Sequence, residues 1–372
     1  MFSLWGTKQH QIWNVFSVLL VASFILSFIS LIETQNLSEG FRKIILKLPL
    51  LVFHFTLLAF KSISCKVKKW MVLVFAYALY LPAIVSVYNY IINKTLFDDL
   101  ILQSKPLPIE FGYGIYHIQF SILLAASIII GIYYLIYLNK TQKKDWFFYL
   151  LLTVVLLNFL FIHILTARTG IAALYMSIAI LIAITLPKIK LKYKIITIGI
   201  SVIVPLIMIF TSSAIKNRIK NTLDDVNVVL KGKDVNDYSF AMRVEAWKNA
   251  MNVISQKPYL GVGIGDVEKA LYENFATYNP QVLSKNRRNP HFQFIETSVE
   301  SGILNGFVLL TFFIILFLKG FKNQNLKLAL LVGTVFFIAS LFESIIERQA
   351  TVIGFALLMA FALSHEKMEV RS

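Results

Sequence analysis

Residues 116–138, YHIQFSILLAASIIIGIYYLIYL, run 23 positions without a single Lys, Arg, Asp or Glu. At about 1.5 Å of rise per residue, a helix of this length crosses the roughly 30 Å hydrocarbon core of a bilayer. A barrel strand would be near ten residues long and would alternate apolar with polar side chains; this stretch does neither. In hydrocarbon only helices and closed barrels satisfy every backbone N–H and C=O, so the stretch reads as a spanning helix.

Working outward, comparable runs fall near 12–32, 44–60, 70–92, 146–165, 171–186, 195–213, 303–318, 328–342 and 351–364. The 44–60 run is the shortest on its side and carries Lys47 and His54. The first run follows Lys8 without a small-residue cleavage site, so it reads as a retained span and not as a signal peptide. Of the 372 residues 57% are hydrophobic, and the mean hydropathy is +0.70. The expected fold is therefore all-α: a polytopic transmembrane helical bundle of about ten spans with one large helical extracytoplasmic loop. Seven spans occupy 1–213, the loop 214–302, and three spans with a short cytoplasmic tail 303–372.

The net charge is +16, from 36 Lys+Arg against 20 Asp+Glu. In a soluble chain that excess would point to nucleic acid. Here the lysines sit in short connectors between apolar runs: 61–69, 139–144, 187–194 and 319–327. That is the charge asymmetry of membrane topology, and it places both termini in the cytoplasm and the 214–302 loop outside. Arg42–Lys43 is the one discordant pair. Membrane lipids, not nucleic acid, are the expected surroundings. Cys65 is the only cysteine, which excludes an intrachain disulfide and a cysteine-based metal site.

The loop gathers most of the mixed charge, with Asp224, Asp225, Asp234, Asp237, Glu245, Asp266, Glu268 and Glu273 among its acids. Phe240, Val244, Trp247, Met251 and Ile254 repeat at helical spacing over 239–256, between Ser239 as a cap and Pro258 as a stop. The turn Gly261–Val262–Gly263–Ile264–Gly265 follows, then Asp266 as the cap of a second helix. A third helix is expected to start at Asn289–Pro290–His291, Asn289 capping and Pro290 in the first turn, and to run toward the eighth span with a break near Gly302.

Few residues are candidates for chemistry. Arg168, in Thr166–Ala167–Arg168–Thr169–Gly170, and Arg348, in Glu347–Arg348–Gln349, stand in short outer connectors. Each is either an interfacial anchor or a functional cation. Arg243 flanks the loop-helix stripe. His291, in the first turn of its expected helix, would be held neutral by the positive end of the backbone dipole, as a general base requires; a capping or interfacial histidine is the plainer reading. His163 is expected to hydrogen-bond a neighbouring helix. Glu296 and Glu300 are not spaced to be in-helix partners of His291. The sequence has no P-loop, no metal-binding His-Glu pattern and no paired aspartates for a divalent ion, and the glycine turn follows a helix where a nucleotide loop would follow a strand.

Three segments together resemble the O-antigen ligase and O-antigen polymerase superfamily. They are Thr166–Ala167–Arg168–Thr169–Gly170; Arg243 with Trp247 and Lys257–Pro258–Tyr259–Leu260–Gly261–Val262–Gly263–Ile264–Gly265; and Asn289–Pro290–His291–Phe292–Gln293–Phe294–Ile295–Glu296 leading into Glu300–Ser301–Gly302. The close likeness covers roughly 165–320. Phe292 departs from the asparagine common after the family's histidine, and ten spans is at the low end for a family that often has twelve. The resemblance implies transfer of a glycan from an undecaprenyl-diphosphate carrier to a hydroxyl at the bacterial inner membrane, without cofactor, nucleotide or metal. His291 would be the catalytic base, and Arg168, Arg243 and Arg348 would bind the diphosphate. Pro258, Gly261, Gly263, Gly265, Trp247, Glu296 and Gly302 would be structural members of the motifs. The partners implied are the lipid-linked glycan donor and, for a ligase, lipid A-core as acceptor. A repeat-unit polymerase, extending a growing glycan, is the alternative within the superfamily. A flippase for lipid-linked glycans is the alternative outside it, but no internal repeat is visible and the polar residues gather in a loop, not at mid-membrane.

Overall fold

Four apolar helices begin where a small polar side chain meets the apolar run. Asn14 accepts a hydrogen bond from the Phe16 N–H (3.1 Å), Asn36 from Glu39 (3.2 Å), Ser64 from Val67 (3.5 Å) and Asp145 from Phe148 (3.2 Å). Each satisfies a donor that the first turn would otherwise leave open. A computed structural model of the chain describes residues 14–95, 116–141, 144–165, 167–185, 223–224, 236 and 238–365. Among the described residues there is no strand.

The order is α1 (Val15–Ile29), α2 (Leu37–Leu51), α3 (Phe53–Ser62), α4 (Cys65–Ile92), α5 (His117–Lys140), α6 (Trp146–Ile164), α7 (Arg168–Thr185), α8 (Ser239–Gln256), α9 (Val267–Tyr278), α10 (Gln293–Ser301), α11 (Ile303–Lys322), α12 (Lys327–Ser340) and α13 (Gln349–Leu363). Seven stretches are long and apolar enough to cross a membrane, and Gln324–Ser340 and Gln349–Leu363 are shorter apolar helices. These nine answer nine of the ten expected spans; the tenth, 195–213, lies outside the described residues, as do the 187–194 connector and Thr166. The second span is longer than the expected 44–60, covering Leu37–Ser62. It is broken at Val52, where α2 gives way to α3, three residues after Pro49. Proline has no N–H for the helical ladder and its ring crowds the preceding turn.

The bundle has two unlike ends. At one, Lys68 Nζ donates to the Ser364 carbonyl (2.9 Å) and Lys69 pairs with Asp145 (3.2 Å), which brings the 61–69 connector to the start of α6 and the end of α13. At the other, a Cβ on Gly170 would meet Ser121 at 2.5 Å, so α5 and α7 start level with each other. Gly354, early in α13, packs on Leu123, early in α5, while His365 beyond α13 meets the Tyr134 hydroxyl (3.3 Å) further along α5. The two helices therefore run parallel, and the 341–348 connector lies at the same end as Arg168. Asn305, at the start of α11, donates to the Ser23 carbonyl (3.2 Å) and Ser27 Oγ (3.1 Å), adding the end of α1 to this group.

Helices α8–α10 sit over this second end with cores of their own. Ala250, Val253, Ile254, Val267, Leu271 and Val299 form one, and Met242, Ala246, Phe275 and Val282 another. The buried face of α8 differs from the expected stripe: Met251 is exposed, while Ala241, Ala246 and Ala250 are buried. Small side chains let neighbouring helices approach closely, so these alanines share the packed face with Met242, Val253 and Ile254, and Met251 lies outside it. Ser239 is the first residue of α8, after Tyr238 at the cap position.

Candidate functional site

The site is built around α10, whose residues are all buried except the partly buried Ile295. The helix begins at Gln293 with Phe292 at its cap position, so Asn289 does not cap it and Pro290–His291 are not its first turn. His291 instead precedes the helix with φ +48, the one non-glycine residue with positive φ among those described. This corrects the expected dipole argument: the imidazole is governed by what it faces, not by a helix end. A left-handed histidine costs about 1 kcal/mol or more and persists only where its surroundings impose it. Here Trp247 imposes it. Its indole N–H donates to the Pro290 carbonyl (2.8 Å), and its ring meets Phe292 edge-on at 5.8 Å. Phe292, the departure from the family pattern, is thus an apolar wedge between Trp247 and Phe294.

So held, His291 turns Nδ1 toward Glu343 Oε2 at 3.4 Å. The other oxygen, Oε1, stands 3.8 Å from Arg243 Nη2. Glu343, from the connector between α12 and α13, therefore joins two of the expected site residues. A carboxylate facing Nδ1 favours the tautomer with its proton there, leaving the Nε2 lone pair to receive one. All three groups stay partly open, with side chains 34%, 17% and 32% exposed for His291, Glu343 and Arg243.

Along α10, from Gln293 to Glu300, runs a buried network. Lys47 pairs with Glu300 and with Glu347 (2.8 Å). Glu296 accepts from the Ser344 hydroxyl, and Gln293 Oε1 accepts from the Ile346 N–H (2.7 Å). Burial, then the charge of Glu347, pushes the Glu300 carboxyl up to about 7 against the pull of Lys47. Burial and Glu347 likewise raise Glu296. Burial opposes ionisation of Glu347 too, yet Lys47 and Lys43 hold it below the usual range. The network fastens α2, α10 and the 341–348 connector together, and so fixes the segment that carries Glu343. Glu296 joins this network through Ser344.

The glycine turn clasps loop to bundle. The Val262 N–H donates to the Val299 carbonyl (2.9 Å), and the Ile303 N–H to the Pro258 carbonyl (2.9 Å). Gly302, at φ +89, breaks the chain between α10 and α11 as expected, and a Cβ there would overlap the Tyr259 carbonyl. Gly261 lies as tightly on Glu300, while Gly263 and Gly265 lie on Thr34 and Asn36 of the α1–α2 connector. Asp266 stands at the cap position of α9 but does not cap it; its carboxylate accepts instead from the N–H groups of Gln35 (2.5 Å) and Asn36 (3.3 Å).

Of the other expected residues, Arg168 is exposed at the first position of α7, and Arg348 is exposed just ahead of α13, in the connector that carries Glu343. Both stand at the same end of the bundle as the His291–Glu343–Arg243 array. His163 bonds Tyr175 (3.0 Å), in keeping with its structural reading. Glu343, Lys47 and Glu347 were missed. The available signal was their cost: carboxylates at the mouth of an apolar hairpin and a lysine within an apolar run persist when they have partners. Among the described residues no group of three His, Cys, Asp or Glu could hold a metal ion.

No curated protein matches the chain in sequence. Residues 153–311 match the family model described as O-antigen ligase, a segment that takes in Arg168, Arg243 and His291 and stops short of Glu343. Over that segment the chain is similar to the O-antigen ligase family.

Proposed function

We propose that the chain is a glycosyltransferase of the bacterial inner membrane, with both termini cytoplasmic and the α8–α10 cap outside. It moves a glycan from undecaprenyl diphosphate to a hydroxyl, with lipid A-core as the acceptor. The observation that carries this reading is Glu343 joined to both His291 and Arg243 between the cap and the bundle. In the reaction, His291 Nε2 takes the proton of the acceptor hydroxyl as its oxygen attacks the anomeric carbon. The bond from that carbon to the diphosphate oxygen breaks, and its electron pair leaves with the diphosphate. Glu343 holds the ring and stabilises the imidazolium that forms. Arg243, only one of whose nitrogens faces Glu343, keeps donors for the departing diphosphate; Arg168 and Arg348 supply further permanent charge at the same end. Attack opposite the leaving group inverts the anomeric centre.

The test is complementation of a deletion strain. His291→Ala and Arg168→Ala variants, present at normal levels, should build no full-length surface polysaccharide; full-length product from either would overturn the mechanism. The banding of the deletion strain separates the two acceptors. Free core with polymer left on carrier fits a ligase, whereas core bearing a single repeat fits a polymerase.

A further inference from the structure

Lys43 and Lys47 stand one helical turn apart on α2, and both are buried, at 8% and 1% exposure. Lys47 is held by Glu300 and Glu347. Lys43 has no such partner. Among the described residues it makes no hydrogen bond and no ion pair within 4.0 Å, and Glu39, Glu296, Glu300 and Glu347 act on its charge only at longer range. A buried ammonium with no counter-ion in contact keeps its three donors open, and so can take an anion that arrives from elsewhere.

The surroundings agree. Lys43 lines a cavity of about 710 Å³ between the first turns of α2 and the start of α9, with Arg42 and Lys269 also on its wall. That volume suits a small ligand. Three carboxylates share the lining, and two are engaged: Glu39 with Arg42 (2.5 Å), and Asp266 with the N–H groups of Gln35 and Asn36. Glu268 is exposed at the rim beside Lys269. Among the described residues the one buried cation on the cavity wall is therefore also one with no counter-ion in contact.

We propose that this cavity is a second anion-binding subsite that takes a phosphate substituent of the acceptor glycan, with Lys43 as its buried cation and Arg42 and Lys269 at its mouth. The assignment rests on the transfer reaction proposed above. It places the acceptor by a charge remote from the attacking hydroxyl, since Glu300, beside Lys47, ends the helix that His291 precedes. α10, roughly 13 Å long, lies between His291 and the Lys47 pair.

The experiment uses the full chain in nanodiscs of neutral lipid, with a hexose phosphate as the soluble probe. Wild type should gain thermal stability with the probe; Lys43→Gln should lose that gain, and Lys43→Arg should keep it. His291→Ala should also keep it, which separates failure of this subsite from failure of the catalytic reading. In transfer assays Lys43→Gln should raise the acceptor KM by about ten-fold or more, the worth of one charge-assisted hydrogen bond, with the donor KM unchanged. A rise in the donor KM instead would assign the cavity to the carrier diphosphate and overturn the proposal. So would a stability gain from anionic-lipid nanodiscs with none from hexose phosphate, or a probe response that survives in Lys43→Gln.

Discussion

The two ionic clusters at the ends of α10 are made of similar groups and behave as opposites. Ahead of the helix, His291, Glu343 and Arg243 meet at 3.4 and 3.8 Å with each side chain partly exposed. At its end, Lys47 meets Glu300 and Glu347 with side chains no more than 8% exposed. Water screens the first set and lets its members exchange partners at small cost, as a site that must receive and release a charged substrate requires. The second set has no water to retreat to, so its members are fixed once paired. What separates a site from its scaffold here is access to water, not residue type.

The comparison can be broken most severely at Lys47. Lys47→Ala leaves two carboxylates buried without their cation and should destabilise the protein by about 3–5 kcal/mol, seen as a lower melting temperature in detergent. Adding Glu300→Gln and Glu347→Gln to a Lys47→Met variant should restore most of that stability. Failure of the triple variant to recover would mean the network does more than neutralise itself. A smaller effect is expected at the open cluster. Glu343→Gln removes the charge that His291 faces and should slow transfer about 10- to 100-fold, on the scale of a charge-assisted hydrogen bond, with melting little changed. A loss of folding there would erase the distinction between the two clusters. The smallest change is Trp247→Phe, which keeps the ring and deletes the N–H that holds Pro290. It should cost about 1 kcal/mol and lower kcat more than it raises KM, because it loosens His291 without touching substrate.

The spans were legible because bilayer thickness imposes a length on apolar runs, and nine described helices answer the reading. The second span was read too short because Arg42 and Lys43 marked its edge, and Lys47 counted against what remained. A lysine is foreign to hydrocarbon only until its partners are known, and those partners lie far along the chain at Glu300 and Glu347. The same distance hid Glu343, which nothing near His291 in sequence announces. The conformation of His291 was misread as well. Asn289–Pro290 has the composition of a helix start, but tertiary contacts from Trp247 outweigh that local preference. The helical stripe of α8 failed for the converse reason: periodicity of large apolar residues does not reveal where alanines permit close approach.

The backbone bonds that tie Pro258 to Ile303 and Val262 to Val299, together with Asp266 anchored on Gln35 and Asn36, act as a seam along one border of the cap. A seam of that kind fixes the cap to the bundle on that side. The opposite border, where α8 faces the connector between α12 and α13, is joined by the longer, partly open pair of Arg243 with Glu343 (3.8 Å), and on the reading proposed above a carrier would enter there.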